Sequence, residues 1–155
     1  MFREIRNTKR VLPEDNIAEI LHAGEEGVLA TVGEDGYPYA VPLNYVFHDG
    51  SIYFHCALEG HKLDNIAFNP KVSFCVYVDT ELIPAKFSIK FRSVVVFGKA
   101  EEVQGDEKKE ALLALVRRLA GGHASAGEKY IKNDFEKAKV IKINIEHATA
   151  KGRII

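Results

Sequence analysis

The densest group of reactive side chains in the sequence is one short polar stretch. It reads His55-Cys56-Ala57-Leu58-Glu59-Gly60-His61-Lys62 and lies where an apolar strand pattern ends and a helical pattern begins. A helix N-terminus presents backbone N–H groups without partners and the positive end of the helix dipole, so it attracts anions. Gly60 lets the backbone approach a ligand, while His61 and Lys62 add donors suited to a phosphate monoester. In the alternative interpretation, Gly60 is an ordinary turn and Lys62 a solvated helix residue.

A second candidate lies on the strand predicted for residues 37–47, which contains Pro38 and Pro42. Proline has no N–H to donate to a neighbouring strand, so both residues indicate an edge, a bulge or a place where the sheet opens. A flat aromatic ligand can use such an opening by bonding to freed backbone groups near Val41, Leu43 and Asn44. An ordinary edge strand at a barrel rim fits the pattern equally well.

Three further groups of residues each allow two interpretations. His55, alone in a strand, is either a satisfied core or rim residue or a catalyst. Lys90 and Arg92 share one face of their strand, which is either solvated or a clamp for phosphate. Cys56 and Cys75 are either one disulfide or two reduced core thiols, and we predict reduced thiols because the sequence is typical of a cytosolic protein. Their spacing does not fit zinc ligands, so we predict no metal site.

These residues are positioned by a predicted pattern of six strands with a few helices. Asp35-Gly36 and Asp49-Gly50 are turn signals between the first three strands, and they predict antiparallel hairpins. Helical spacing of apolar residues and helix-ending glycines or prolines mark the helices. The predicted strands are residues 28–32, 37–47, 52–57, 71–79, 87–103 and 140–145. One predicted helix starts near residue 12, and three others cover residues 60–68, 106–120 and 126–137.

Strands connected by hairpins exclude a doubly wound parallel fold, which needs a helix between successive strands. A closed or split barrel removes the sheet edges. We therefore predict a mainly β protein, a six-stranded antiparallel barrel of the closed or split type with peripheral helices, as a single domain over residues 1–155.

The overall composition limits the possible functions. The chain has 155 residues, 46% of them hydrophobic and 28% charged, which is typical of a soluble globular domain. Its formal net charge of −1 argues against a nucleic-acid surface or a polybasic membrane anchor. Neither a secretory signal nor an apolar run long enough to span a membrane is evident. We expect a cytoplasmic protein with neither nucleic-acid nor membrane partners.

Four segments, in this order and spacing, resemble the pyridoxamine 5′-phosphate oxidase-like, FMN-binding split-barrel superfamily, in its nitroimidazole-resistance branch. The resemblance covers most of the chain and implies a homodimer with FMN at the subunit interface. The segments are GVLATVGEDGYPYAVPLNYVF (residues 27–47), IYFHCALEGHKLDNIAFNPKVSFCV (52–76), FRSVVVFGKAEEV (91–103) and IEHATAKGR (145–153).

The resemblance also assigns the cofactor-binding residues and makes His55 the catalytic residue, close to the flavin or the substrate. The residues implied at the cofactor are Pro42, Leu43 and Asn44 at the isoalloxazine ring; Phe54, His55, Cys56 and Ala57 along the cofactor; Gly60, His61 and Lys62 at its phosphate; and Ser93 at the phosphate or a ribityl hydroxyl.

The activity implied is that of an FMN-dependent oxidoreductase that reduces small oxidised molecules such as nitroaromatics, with NAD(P)H as a transient donor. A flavin- or haem-binding protein of the same fold without turnover is the alternative, with His55, His61 or His123 as an axial haem ligand. Related pyridoxamine 5′-phosphate oxidase activity is less expected, because those enzymes grip their substrate with a longer C-terminal region, whereas here only Lys151 and Arg153 lie near the end of the sequence.

Overall fold

The computed structural model describes residues 1–154. Their strands form one curled sheet of seven antiparallel strands, with helices around it. The hydrogen-bonded order across the sheet is β2-β1-β5-β6-β7-β4-β3. The strands are β1 (Glu26–Val32), β2 (Pro38–Asn44), β3 (Val46–His48), β4 (Ser51–Cys56), β5 (Lys71–Ile83), β6 (Ser88–Val103) and β7 (Lys139–Arg153).

The sheet closes on itself because its two edge strands are consecutive in the chain. β2 pairs only with β1 and β3 only with β4, yet a single residue, Tyr45, separates them. The two edges of the sheet must therefore meet at Tyr45, which gives the split barrel that the sequence predicts.

The predicted number of six strands is wrong by one. The sequence treats residues 37–47 as one strand, whereas the structure divides that segment at Tyr45. The Tyr45 ring is fully buried and its hydroxyl donates to the carbonyl of Leu21 at 2.6 Å, so the chain turns inward where it changes pairing partner.

Several boundaries also differ from the sequence prediction. β7 extends to Arg153 because it pairs with β6 along most of its length, across an irregularity at Phe97/Gly98. Residues 80–83, which lie between the strands predicted for 71–79 and 87–103, continue β5 beyond an irregularity between Val78 and Glu81.

The barrel interior is the main hydrophobic core. Alternate residues of each strand point inward, as the two-residue period of a strand requires. Helix α1 (Asp15–Ala23) covers one end and buries Ile20 and Leu21 in the same core. The largest strand side chains of the interior are Leu29, Ile52, Phe54, Phe74, Val76, Val94, Val96, Ile141 and Ile143.

The remaining helices lie at the other end of the barrel and on one outer face. Helix α2 (His61–Phe68) follows β4 and contacts β1, where the amide of Asn65 donates to the Thr31 hydroxyl at 3.0 Å. Helices α3 (Gly105–Ala120) and α4 (Ala124–Asp134) pack as a hairpin, and α3 lies over β3, β4 and β7. Within residues 1–154, no helix is long and apolar enough to cross a membrane.

Candidate functional site

The predicted phosphate turn lies at the N-terminus of α2. Gly60 has φ 153°, a conformation that side chains rarely adopt. Its carbonyl accepts hydrogen bonds from the N–H groups of Leu63 (3.0 Å) and Asp64 (3.1 Å). The N–H groups of His61 and Lys62 precede these two and have no backbone acceptor among the described residues. Two free donors at a positive helix end can bind an anion.

The charges around this turn differ on its two sides. Lys62 and Lys139 are close enough to Cys56 to act on its thiol, whose pKa is nevertheless raised by burial. One carboxylate, that of Glu102, also lies on this side and is ion-paired with Lys139 at 3.6 Å, which leaves Lys62 as the cation without a carboxylate partner among the described residues. On the other side, a hollow beside His61 is lined by three carboxylates, those of Glu34, Asp35 and Asp64. An anion is therefore favoured on the lysine side of the turn.

The structure places an opening in the barrel wall beside this turn. The β3–β4 ladder ends at the pair Val46–Tyr53, and beyond it β2 turns away to pair with β1. Residues 54–56 of β4 therefore lack a partner on that side, and so does the outer edge of β2. Extending the register past Tyr53 would set Asn44 opposite His55 and Pro42 opposite Ala57, but Pro42 has no N–H to continue the ladder.

The predicted segments 42–44 and 54–57 border this opening on its two sides, each with a main-chain edge that lacks a strand partner there. Their side chains alternate in direction. Leu43 and Cys56 pack against the core, and the ring of Phe54 is fully buried, so Phe54 offers a ligand only its main chain. Pro42 and Asn44 are exposed, and the Asn44 amide donates to the carbonyl of Glu25 at 3.1 Å.

His55 points to the opposite face of β4 from Phe54 and Cys56. It lines a groove beneath α3 and α4, away from the barrel interior. The apolar side chains around it disfavour the charged imidazolium, and this desolvation lowers the pKa of His55. This shift favours the neutral imidazole, in which one nitrogen can donate and the other can accept a hydrogen bond.

Ser93 is not brought to the phosphate turn within one chain. It lies on β6, paired with Tyr77 and Lys151, and only 6% of its surface is exposed. The end of β6 that lies nearest to β4 is Val103. It pairs with Val140 of β7, and Val140 in turn pairs with His55 of β4. About 30 Å of strand separates Ser93 from that end.

The phosphate clamp considered for Arg92 is not formed. The Arg92 guanidinium donates to Asp79 at 2.6 Å and to Glu19 at 2.7 Å, and both contacts raise the pKa of Arg92. These ion pairs connect α1 to the sheet. A guanidinium already bonded to two carboxylates has little remaining attraction for phosphate.

Two features of the site were missed by the sequence reasoning. Lys139 reaches Cys56 through the β4–β7 pairing, across more than eighty positions of sequence. The Tyr39 ring stacks on His61 with the ring centroids 4.1 Å apart. Both contacts depend on strand register, for which the sequence contains no local signal.

Comparison with known proteins gives one family match. A sequence model of the family described as pyridoxamine 5′-phosphate oxidase matches residues 13–152. The chain is also 31% identical over 96 residues to an uncharacterized protein from Rhizobium meliloti (strain 1021). That match covers 61% of this chain and only 57% of the relative.

Two solved structures show the same fold. One is a candidate 5-nitroimidazole antibiotic resistance protein from Bacteroides thetaiotaomicron, with TM-score 0.74 and 22% identity, covering 92% of this chain and 86% of the other. The second is the FAD and haem binding protein from Mycobacterium smegmatis, with TM-score 0.80 and 19% identity, covering 93% and 73% of the two chains. Flavin and haem binding therefore occur among proteins of this fold.

Proposed function

The chain belongs to the pyridoxamine 5′-phosphate oxidase family, and from this membership we propose that it binds FMN and reduces small oxidised molecules such as nitroaromatics. The observation that carries the proposal is the opening between β2 and β4 beside the N-terminus of α2. It combines free main-chain edges for a flat ring with free N–H groups and lysines for a phosphate.

The residues present fit FMN in a simple arrangement. The N–H groups of His61 and Lys62, with the Lys62 and Lys139 ammonium groups, would hold the phosphate. The free edge of Pro42, Leu43 and Asn44 would bond to polar atoms along the ring. FMN supplies the transfer of a hydride or of single electrons, and the protein binds and orients it.

His55 is the residue that we propose to contact the molecule being reduced. Its neutral imidazole can donate a hydrogen bond to an oxygen of that molecule. Because β4 borders the opening, a molecule held by His55 would lie on the other side of this strand from an FMN bound there. NAD(P)H would serve as a transient donor that binds over an exposed flavin face.

The outer face of β1, β5 and β6 supports the proposal of a homodimer with FMN between its subunits. Helix α3 covers the outer face of β3, β4 and β7. On β1, β5 and β6, however, Val28, Tyr77 and Phe97 keep 42%, 51% and 37% of their surfaces exposed. Ser93 lies on this same face, far along the sheet from its own chain's phosphate turn. A second copy docked here can bring Ser93 to the FMN of its partner.

Two free cysteines, Cys56 and Cys75, accord with the cytoplasmic location that we propose for the protein.

The test is the absorbance spectrum of the purified protein, followed by FMN titration and anaerobic reduction. We expect a yellow protein, or a colourless one that takes up FMN and quenches its fluorescence. Lys62→Gln should weaken FMN binding about tenfold, because it removes one charge-assisted hydrogen bond. Lys9→Gln, in the exposed N-terminal segment, is the matched control.

The reductase part of the proposal needs a separate measurement. The FMN-loaded protein should oxidise NADH or NADPH in the presence of a nitroaromatic or a quinone. A protein that binds FMN but turns over none of these acceptors would be a flavin-binding protein only. Failure to take up FMN at all would refute both parts.

Haem binding is the second candidate, favoured by the similarity to the FAD and haem binding protein. A Soret band on addition of haem, lost in His55→Ala or His61→Ala, would support it over the flavin proposal.

A further inference from the structure

The groove beneath α3 and α4 that His55 lines is a largely apolar cavity, distinct from the hollow beside His61. It has a volume of about 290 Å³ and lies between β4, α3, α4 and the 3-10 turn Phe135–Lys137. That volume is near the lower limit for small-molecule sites, which measure roughly 300–1,000 Å³. The cavity lies on the outer face of β4, whereas the opening between β2 and β4 lies in the barrel wall. Its walls include Leu115, Val116, Leu119, Ile131 and Phe135.

The walls of this cavity are held in place by contacts that do not involve a ligand. Only 3% of Lys108 is exposed, and its ammonium lies over the Phe135 ring, 4.4 Å from the ring centroid. Gly127 packs directly against Val116, where any side chain would collide, so α4 lies close to α3. A cavity bounded by fixed helices needs little reorganisation to accept a molecule.

The polar groups of the cavity favour an uncharged ligand. His55 has no hydrogen-bond partner among the described side chains, so its ring nitrogens are available to a ligand, and its apolar surroundings favour the neutral form. Asp134 and Lys137, at the rim, form an ion pair at 2.7 Å and offset each other's charge. A charged ligand would lose its hydration without gaining a free counter-charge.

We infer that this cavity is a binding site for a small, uncharged aromatic molecule whose oxygen atom accepts a hydrogen bond from His55. The apolar walls would contact the faces of one or two rings, and His55 would fix their orientation. Binding at this site does not require a flavin. Only the further step, that the bound molecule is the electron acceptor, rests on the proposed function.

Three probe molecules of nearly equal size test the chemistry of the site in flavin-free and FMN-loaded protein. We expect 4-nitrotoluene to bind and to shift the NMR signals of the His55 ring and of the cavity methyl groups. 4-Nitrobenzoate, which adds a charge, should bind at least tenfold more weakly. p-Xylene, which lacks the nitro group, should bind about fivefold more weakly, a difference equivalent to roughly one hydrogen bond.

Two variants locate the binding. Ala120→Phe should fill the cavity and abolish 4-nitrotoluene binding, whereas Ala126→Phe, on the exposed surface of α4, should leave it unchanged. His55→Leu should remove the preference for 4-nitrotoluene over p-xylene while keeping p-xylene binding, so it tests the site even where Ala120→Phe does not fold.

The inference is overturned where the shifted signals map outside the cavity, or where a folded Ala120→Phe binds 4-nitrotoluene as well as the original chain does. Equal binding of the charged and uncharged probes would overturn it as well. Because all three probes are measured without FMN, failure of FMN binding would leave this result standing and would refute only the proposed reductase.

Discussion

His55 illustrates how much a single residue reveals before the fold is known. The sequence identifies it as a histidine in a strand, next to a cysteine and close to a phosphate turn. Strand alternation also shows that it faces away from Phe54 and Cys56. Which of these faces is the barrel interior and which is covered by α3 and α4 depends on distant segments, so the cavity around His55 could not be predicted.

The stability of the folded protein should fall at low pH because of His55. Because desolvation lowers the pKa of His55 in the folded protein, the unfolded chain binds a proton more readily. Well above pH 6.5, the ordinary pKa of histidine, His55 is unprotonated in both the folded and the unfolded chain, so its lowered pKa costs no stability. As the pH falls from there through the folded pKa, the folded state is progressively destabilised. The groups facing His55 from the neighbouring helices are Tyr130, Asp134 and Lys137.

Two measurements check this prediction. The NMR titration of the His55 ring should have its midpoint below the ordinary value. In urea denaturation, the chain should lose more stability between pH 7 and pH 5 than His55→Gln does, since glutamine cannot be protonated. A His55 midpoint at or above the ordinary value would contradict the desolvation argument.

At the scale of elements, the prolines of β2 were the most informative signal. Pro38 and Pro42 predict an edge or an opening, and β2 is indeed an edge strand of the sheet. The division at Tyr45 was missed because the apolar pattern continues through it without a glycine or proline. The burial of Tyr45 and its bond to Leu21 belong to the packing of α1, which lies more than twenty positions earlier.

Helix α2 is held against β1 by a close contact that can be tested. A methyl group at Gly33 would overlap the side-chain oxygen of Asn65, whose amide is bonded to Thr31. Gly33→Ala should therefore displace α2 and destabilise the protein by about 1–3 kcal/mol. Because the phosphate turn is at the N-terminus of this helix, FMN binding should weaken as well.

The control for this variant is Gly122→Ala, since a methyl group there meets nothing within 4 Å among the described residues. Its stability in urea should stay within about 0.5 kcal/mol of the original. If Gly33→Ala is as stable as the control and binds FMN equally well, α2 is not positioned by this contact.

At the scale of the whole molecule, the barrel could be predicted because hairpin connections leave few alternatives for six or seven antiparallel strands. The assembly of the site could not. Ser93 has the right chemistry for a phosphate, yet its strand carries it far from Gly60 in the same chain. Strand register determines this separation. The register is set by the long β6–β7 pairing, and it cannot be read from the sequence pattern alone.

The proposed homodimer makes that separation testable. Val28→Glu places a carboxylate on the exposed face of β1, β5 and β6 and should dissociate the dimer, because burying an unpaired charge in an interface is strongly unfavourable. Sedimentation velocity should then give the mass of one chain, and FMN binding should fall with it, since each site would lose the Ser93 of its partner.

Phe68→Glu, an equally drastic change at an exposed position of α2, should leave the dimer intact. Val28 is already 42% exposed in the single chain, so the variant should fold and keep its unfolding midpoint at low protein concentration. A single chain that binds FMN with full affinity would show instead that the turn at Gly60 and the opening beside it suffice without a partner.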